Sequence, residues 1–159
     1  MNISNGQLWK YSSFIENKNY SFIKEEILNP LQLRNTYGSL QQIDMNRLMS
    51  GYYVGVEEDI KTTDYGSMIA KAEDVGIFLR ALNDGSLFKE REAKIYASLY
   101  TYNHTGLIPG YQTIAEYHKD LDAVVIQFTN TTNFNGYEWN LSEIYYNRII
   151  KILKQEKRD

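Results

Sequence analysis

The most constraining feature of this sequence is the run Ala-Val-Val-Ile-Gln-Phe-Thr at 123–129, which is almost unbroken in apolar character. Apolar side chains at both parities mark a strand covered on both faces. The preceding cluster His118-Lys119-Asp120-Leu121-Asp122 reads as a polar turn. Before it, Tyr111 to Tyr117 is rich in aromatic and β-branched residues. Together the three pieces predict an antiparallel hairpin. After Asn130–Asn133 a final helix begins near Tyr137, with Leu141, Ile144, Tyr145, Arg148, Ile149, Ile152 and Leu153 expected on the face that packs on the hairpin.

The first two-thirds of the chain read differently. Leu8 to Leu28 has helical spacing and stops at Asn29-Pro30, because a residue before proline disfavours helical geometry. Leu31 to Asp64 shows no sustained period and reads as a long irregular connection with room for one short strand; loops of that length are usually functional. Met68 to Leu82 carries Met68, Ala72, Val75, Leu79 and Leu82 at steps of three and four, a buried helical stripe closed at Gly85. Its start is weak, since Ala70 occupies the position where a Ser or Thr cap is expected, an omission worth about 1 kcal/mol. Lys89 to Leu99 reads as a shorter helix. There is no internal repeat. Helices followed by strands and a closing helix define a single α+β domain over residues 1–159.

Composition removes several classes of function. With 159 residues and 43% hydrophobic content, one core can be buried and wholesale disorder is excluded. The net charge of -3 argues against a nucleic-acid partner, which demands a basic face. Lys151, Lys154, Lys157 and Arg158 suit the negative end of a terminal helix. No segment is apolar enough for a membrane span, and the first residues carry no signal-peptide pattern. Without cysteine, disulfides and thiolate metal sites are excluded, and nothing in the sequence implies a metal or another cofactor.

Three stretches carry a resemblance. Ile27-Leu28-Asn29-Pro30-Leu31-Gln32-Leu33-Arg34-Asn35-Thr36 is similar to the I-L-x-P-L-G-L-x-N-T segment of β-lactamase-related serine hydrolases. Ala72-Glu73-Asp74 followed by Phe78-Leu79-Arg80-Ala81-Leu82-Asn83-Asp84-Gly85 is similar to their S-T-A-E-D…F-x-x-A-L-x-x-G helix. His104-Thr105-Gly106-Leu107-Ile108-Pro109-Gly110-Tyr111 is similar to their H-T-G-x-x-P-G-Y/F strand and turn. The family includes class C β-lactamases, D-alanyl-D-alanine carboxypeptidases and related penicillin-binding esterases. In this order the three motifs correspond to the C-terminal half of such a domain. The resemblance implies a partial β-lactamase/transpeptidase-like fold in which an antiparallel sheet is packed by helices, among them a long C-terminal one.

What the resemblance implies for chemistry follows residue by residue. His104 stands where many relatives carry lysine, Thr105 binds a substrate carboxylate, and Gly106 lets substrate approach the backbone near an oxyanion hole. The family's Tyr-x-Asn motif falls on Ile3-Ser4-Asn5, so Asn5 is retained for substrate contact while Ile3 occupies the tyrosine position and can move no proton. The nucleophile of the family lies in Ser-x-x-Lys, upstream of everything matched here; Ser21 with Lys24 has the spacing but sits on the face of another helix. The stretch between Lys94 and His104 is short for the strand relatives place there.

Two readings follow. The chain is either the C-terminal portion of a serine acyl-hydrolase, inactive alone, or a non-catalytic descendant that binds a cell-wall fragment or a protein. Ligands implied are a β-lactam, a D-Ala peptide or an ester. A truncated sheet exposes unpaired backbone, so an N-terminal half or self-association at the exposed edge is expected. The resemblance further implies an extracytoplasmic bacterial setting.

Overall fold

The architecture was analysed in a computed structural model, which describes residues 19–66, 68–99, 103–135 and 138–157. Along the chain lie a helical segment over residues 19–28 (α1, with Lys24–Leu28 widened to π geometry), β1 (Thr36–Tyr37), β2 (Tyr52–Tyr53), β3 (Ile69–Ala70) and α2 (Ala72–Asp84). Then follow α3 (Glu90–Leu99), β4 (Asn103–Ile108), β5 (Tyr111–His118), β6 (Ala123–Thr129), β7 (Thr131–Thr132) and α4 (Glu138–Glu156). The fold is mixed α and β, with a three-stranded antiparallel sheet, a small antiparallel pair (β1–β3), a small parallel pair (β2–β7) and a closing helix.

The hairpin forms where the sequence places it. β5 and β6 pair antiparallel from Gln112↔Thr129 to His118↔Ala123, and β4 adds on the far side of β5, giving the order β4-β5-β6. Alternation along the strands then separates two faces. Ile114 and Val125 meet Tyr146 and Ile150 of α4 on one face. On the other, Ile126 lies 3.7 Å from where a β-carbon of Gly76 in α2 would stand. β6 therefore meets a helix on each side but is not fully covered as expected: its other residues are half-buried and Phe128 is exposed.

α4 docks by a different stripe from the one expected. Among its described residues Ser142, Tyr146 and Ile150, spaced by four, are the buried ones, whereas Leu141, Ile144, Tyr145, Ile149, Ile152 and Leu153 stay exposed. Hydrogen bonding decides the rotation. Gln127 of β6 donates its Nε2 to Ser142 Oγ at 2.7 Å and to the Ser142 carbonyl at 3.1 Å, and Tyr146 donates its hydroxyl to the Val125 carbonyl at 3.1 Å. A count of apolar residues alone could not see those three bonds.

α1 ends in a way that accounts for the Pro-Leu-Gln-Leu motif. The helix does not break before Pro30 as expected, since Asn29 itself keeps helical angles (φ -68, ψ -49). It closes at Gln32, in the left-handed region at φ 56. The Leu33 amide donates to the Leu28 carbonyl at 2.8 Å and the Gln32 amide to the Asn29 carbonyl at 3.0 Å. That pair of bonds is a Schellman closure, and Leu28 and Leu33, each 6% exposed, supply its hydrophobic contact.

Two boundaries move. α2 begins at Ala72 and not at Met68, because Ile69 and Ala70 pair with Tyr37 and Thr36 as β3. The N-cap is consequently Lys71, which makes no side-chain cap bond; Gly85 closes the helix at φ 81 as its position suggests. His118, expected in a solvated turn, is instead the last residue of β5, paired with Ala123. The connection 31–64 holds β1 and β2, each of two residues, and two 3-10 turns at Leu40–Gln42 and Met45–Arg47.

Candidate functional site

His104, Thr105 and Gly106 lie on β4, an edge strand of the described sheet. Their cross-strand partners are Ala115, Ile114 and Thr113. Paired residues share a face, so His104 and Gly106 belong to the α2 side and Thr105, with Leu107, to the α4 side. The strand thus presents the imidazole and the hydroxyl on opposite faces of one exposed backbone edge. Thr105 and Gly106 are exposed and His104 is half-buried. A β-carbon added at Gly106 would meet nothing within 4 Å, so packing does not require glycine there and the space beside the backbone is open.

What holds this strand in place is the turn that follows it. Gly110 has φ 83, and a β-carbon there would lie 2.6 Å from Ile60 Cδ1. Its amide donates to Thr132 Oγ1 at 2.7 Å. Tyr111 donates its hydroxyl to the Met49 carbonyl at 2.8 Å, and its ring lies so close to Gly51 that any side chain there would collide with it. Burial raises the Tyr111 phenol to about 12. The amide of Asn130 donates to the Ser50 carbonyl at 3.1 Å, and β2 pairs in parallel with β7. The irregular segment around 49–60 is therefore the cradle of the β4–β5 turn. The Pro-Gly-Tyr tail of the motif exists for that contact; Gly51, Thr132 and Asn130 belong to it and carry no sequence signature of their own.

The other two motifs meet each other. Asp74, 4% exposed in the first turn of α2, accepts from the Asn35 amide and from the Thr36 hydroxyl, each at 2.8 Å. Lys71 donates its amide to the Asn35 carbonyl at 3.2 Å. Residues thirty-eight and thirty-nine positions apart are thus joined through one carboxylate. A carboxylate in the first turn of a helix also faces the positive end of its dipole.

Two further clusters tie helices to the hairpin. His118 Nε2 lies 3.0 Å from the Tyr146 hydroxyl and 3.5 Å from Glu116 Oε2. Because Tyr146 spends its proton on the Val125 carbonyl, His118 is the donor in that pair. Burial raises the Tyr146 phenol well above the ordinary tyrosine value. On the opposite face Arg80 bonds Asp122 at 2.6 Å and lies over the Tyr117 ring. Hydrogen bonds from Arg80 and then Tyr117 hold the Asp122 carboxyl below its usual value.

Asn5 and Ile3 lie outside the described residues. Ser21 and Lys24 are both exposed on α1, and the Ser21 hydroxyl reaches Glu25 Oε1 at 3.5 Å. A second pair with the same spacing, Ser86 and Lys89, falls in the α2–α3 connection; both residues are exposed, and Ser86 donates its amide to Asp84 Oδ1 at 2.8 Å. Neither pair stands beside β4 in sequence or in sheet topology. No helix among the described residues is long and apolar enough to cross a membrane.

No protein-family model matches this sequence, and no curated protein matches it. Solved structures do. The D-amino acid amidase from Ochrobactrum anthropi SV3, complexed with L-phenylalanine amide, aligns over 86% of this chain and 51% of its own at a TM-score of 0.67 and 17% identity. Its complex with D-phenylalanine aligns over 82% and 53% at 0.62 and 16% identity. A D-stereospecific amidohydrolase from Streptomyces sp. aligns over 69% and 43% at 0.56 and 18% identity. The chain therefore spans about half the length of the amidases it matches. These neighbours have the penicillin-binding/β-lactamase fold, and the present chain has part of that fold.

Proposed function

We propose that this chain is the substrate-recognition half of a serine acyl-hydrolase of the β-lactamase and amidase type, silent as a catalyst by itself. The observation that carries the reading is the edge strand His104-Thr105-Gly106, open beside Gly106 and braced by the Gly110 turn, in a fold shared with D-amino acid amidases. In this role Thr105 hydrogen-bonds a substrate carboxylate or amide, and His104 offers a donor from the other side of the strand. The exposed backbone beyond Gly106 faces the acyl carbonyl. Asn5 completes the contact. Ile3, at the position of the family's proton-transferring tyrosine, withholds general acid–base catalysis.

The substrates that fit are a D-amino acid amide, a D-Ala peptide, a β-lactam or a small ester. A nucleophile then arrives on a companion segment, which pairs with the outer edge of β6, a strand with no further neighbour among the described residues. Strand edges without a neighbour recruit strands, and β6 is the last strand of the described sheet on that side. Self-association through the same edge is the form this takes when no companion is supplied, and the chain then acts as a binding module for a cell-wall fragment.

Intact-mass measurement tests the reading. The purified chain is incubated with a reactive β-lactam and, separately, with a fluorophosphonate. An unchanged mass is expected. A stoichiometric adduct on one residue would place a working nucleophile within this chain and end the proposal.

A further inference from the structure

On the α4 face of the sheet lies a groove of about 770 Å³, within the range of small-molecule sites. Its walls are apolar: Val54, Leu107, Phe134, Leu141, Tyr145 and Ile149. Its floor is polar, formed by Gln112, Gln127, Thr129, Thr132 and Ser142. Most of that floor is satisfied internally. Gln127 donates to Ser142, and Thr132 accepts from Gly110 and donates to the Ile108 carbonyl at 3.5 Å. Gln112 is the exception: it is 6% exposed, it lines the groove, and its Nε2 has no acceptor among the described residues. A buried donor without a partner costs about 1–3 kcal/mol, which an acceptor delivered into the groove recovers.

Among the described residues the lining contains no Lys, Arg, His, Asp or Glu. A charged ligand would lose its hydration there without gaining a counter-ion. We propose that this groove binds an uncharged aryl or acyl carbonyl compound (a ketone, ester or amide), with its apolar body between α4 and Leu107 and its carbonyl oxygen accepting from Gln112. The groove lies on the face opposite His104 and on the same face as Thr105; among the described residues Leu107 is its lining residue from β4, and Thr105 is not part of the lining. A small turn of the Gln112 amide brings its nitrogen to the ligand. The inference does not depend on the hydrolase reading, because it rests on the lining and on Gln112 alone.

Benzophenone and diphenylmethane form the discriminating pair of probes, since they share a skeleton and differ by the carbonyl. Benzophenone is expected to bind one-to-one and about tenfold more tightly than diphenylmethane. On irradiation it should label Leu141, Tyr145 or Ile149. Gln112→Leu should abolish the tenfold preference while leaving diphenylmethane binding intact, and Leu107→Trp, at an exposed position on the rim, should block both probes. Equal affinity for the two probes, a preference that survives Gln112→Leu, or adducts scattered over other surfaces would overturn the assignment. So would benzophenone binding that falls as the protein is concentrated, which would give the groove to a second copy of the chain.

Discussion

Gln32 offers the sharpest test of the structural account. It closes α1 in the left-handed region at φ 56, in a segment that resembles a motif with glycine at this position. For a residue with a β-carbon that conformation costs about 1–2 kcal/mol. Glycine avoids the clash but loses more backbone freedom on folding, about 0.5–1 kcal/mol. The difference predicts that Gln32→Gly stabilises the protein by about 0.5–1 kcal/mol. The bonds from Leu33 to Leu28 and from Gln32 to Asn29 are backbone bonds and survive the substitution. Urea denaturation followed by tryptophan fluorescence or far-UV circular dichroism reads the effect. With a slope of about 2 kcal/mol/M, the midpoint should rise by about 0.3–0.5 M at unchanged slope. Gln32→Ala is the control: it keeps the β-carbon and should shift the midpoint by less than about 0.1 M. A midpoint that falls for the glycine variant, or rises equally for both, would refute the left-handed closure.

Four further outcomes follow from the same geometry. Asp74→Ala should destabilise by about 2–3 kcal/mol, because the Asn35 amide and Thr36 hydroxyl lose a buried charged acceptor; denaturant titration checks it. Gly110→Ala should cost about 2 kcal/mol from the positive φ and the Ile60 contact, whereas Gly106→Ala should stay within about 0.5 kcal/mol of the parent in the same assay. At alkaline pH the two raised phenols set the stability: their contribution is fully present below the ordinary tyrosine value of 10 and is lost as pH rises through about 12 for Tyr111, so stability should fall in that window and fall less steeply in Tyr111→Phe. At acid pH the depressed carboxyl of Asp122 contributes above its ordinary value of 3.8 and is lost as pH drops below it, so Asp122→Asn should flatten the acid limb of a stability–pH curve.

Some of this molecule was legible in its sequence and some was not, for physical reasons. The β5–β6 hairpin was legible because its apolar run and polar turn are local signals. So was the close of α2 at Gly85, where a single residue type fits the backbone. The rotation of α4 was not, because three hydrogen bonds to Ser142 and Tyr146 outweigh a stripe of more numerous apolar residues. Asn29 misled through a local rule about proline, since the Leu28–Leu33 closure two residues later holds the turn helical. The start of α2 was hidden by a two-residue pairing of Thr36 with Ala70 and Tyr37 with Ile69, thirty-four and thirty-two positions apart, that no window along the chain contains. At the site, His104, Thr105 and Gly106 were readable as one motif, but their split between two faces and the cradle of Gly51, Asn130 and Thr132 required the fold.

The central claim, that the β4 edge is a recognition strand for carboxylates and amides, is tested most directly by titrating ¹⁵N-labelled protein with N-acetyl-D-alanine and following amide shifts. The account predicts saturable shifts centred on 104–107, greatly weakened in Thr105→Ala while the remaining spectrum keeps its dispersion. Shifts that cluster elsewhere, or a Thr105→Ala variant that binds as well as the parent, would contradict it.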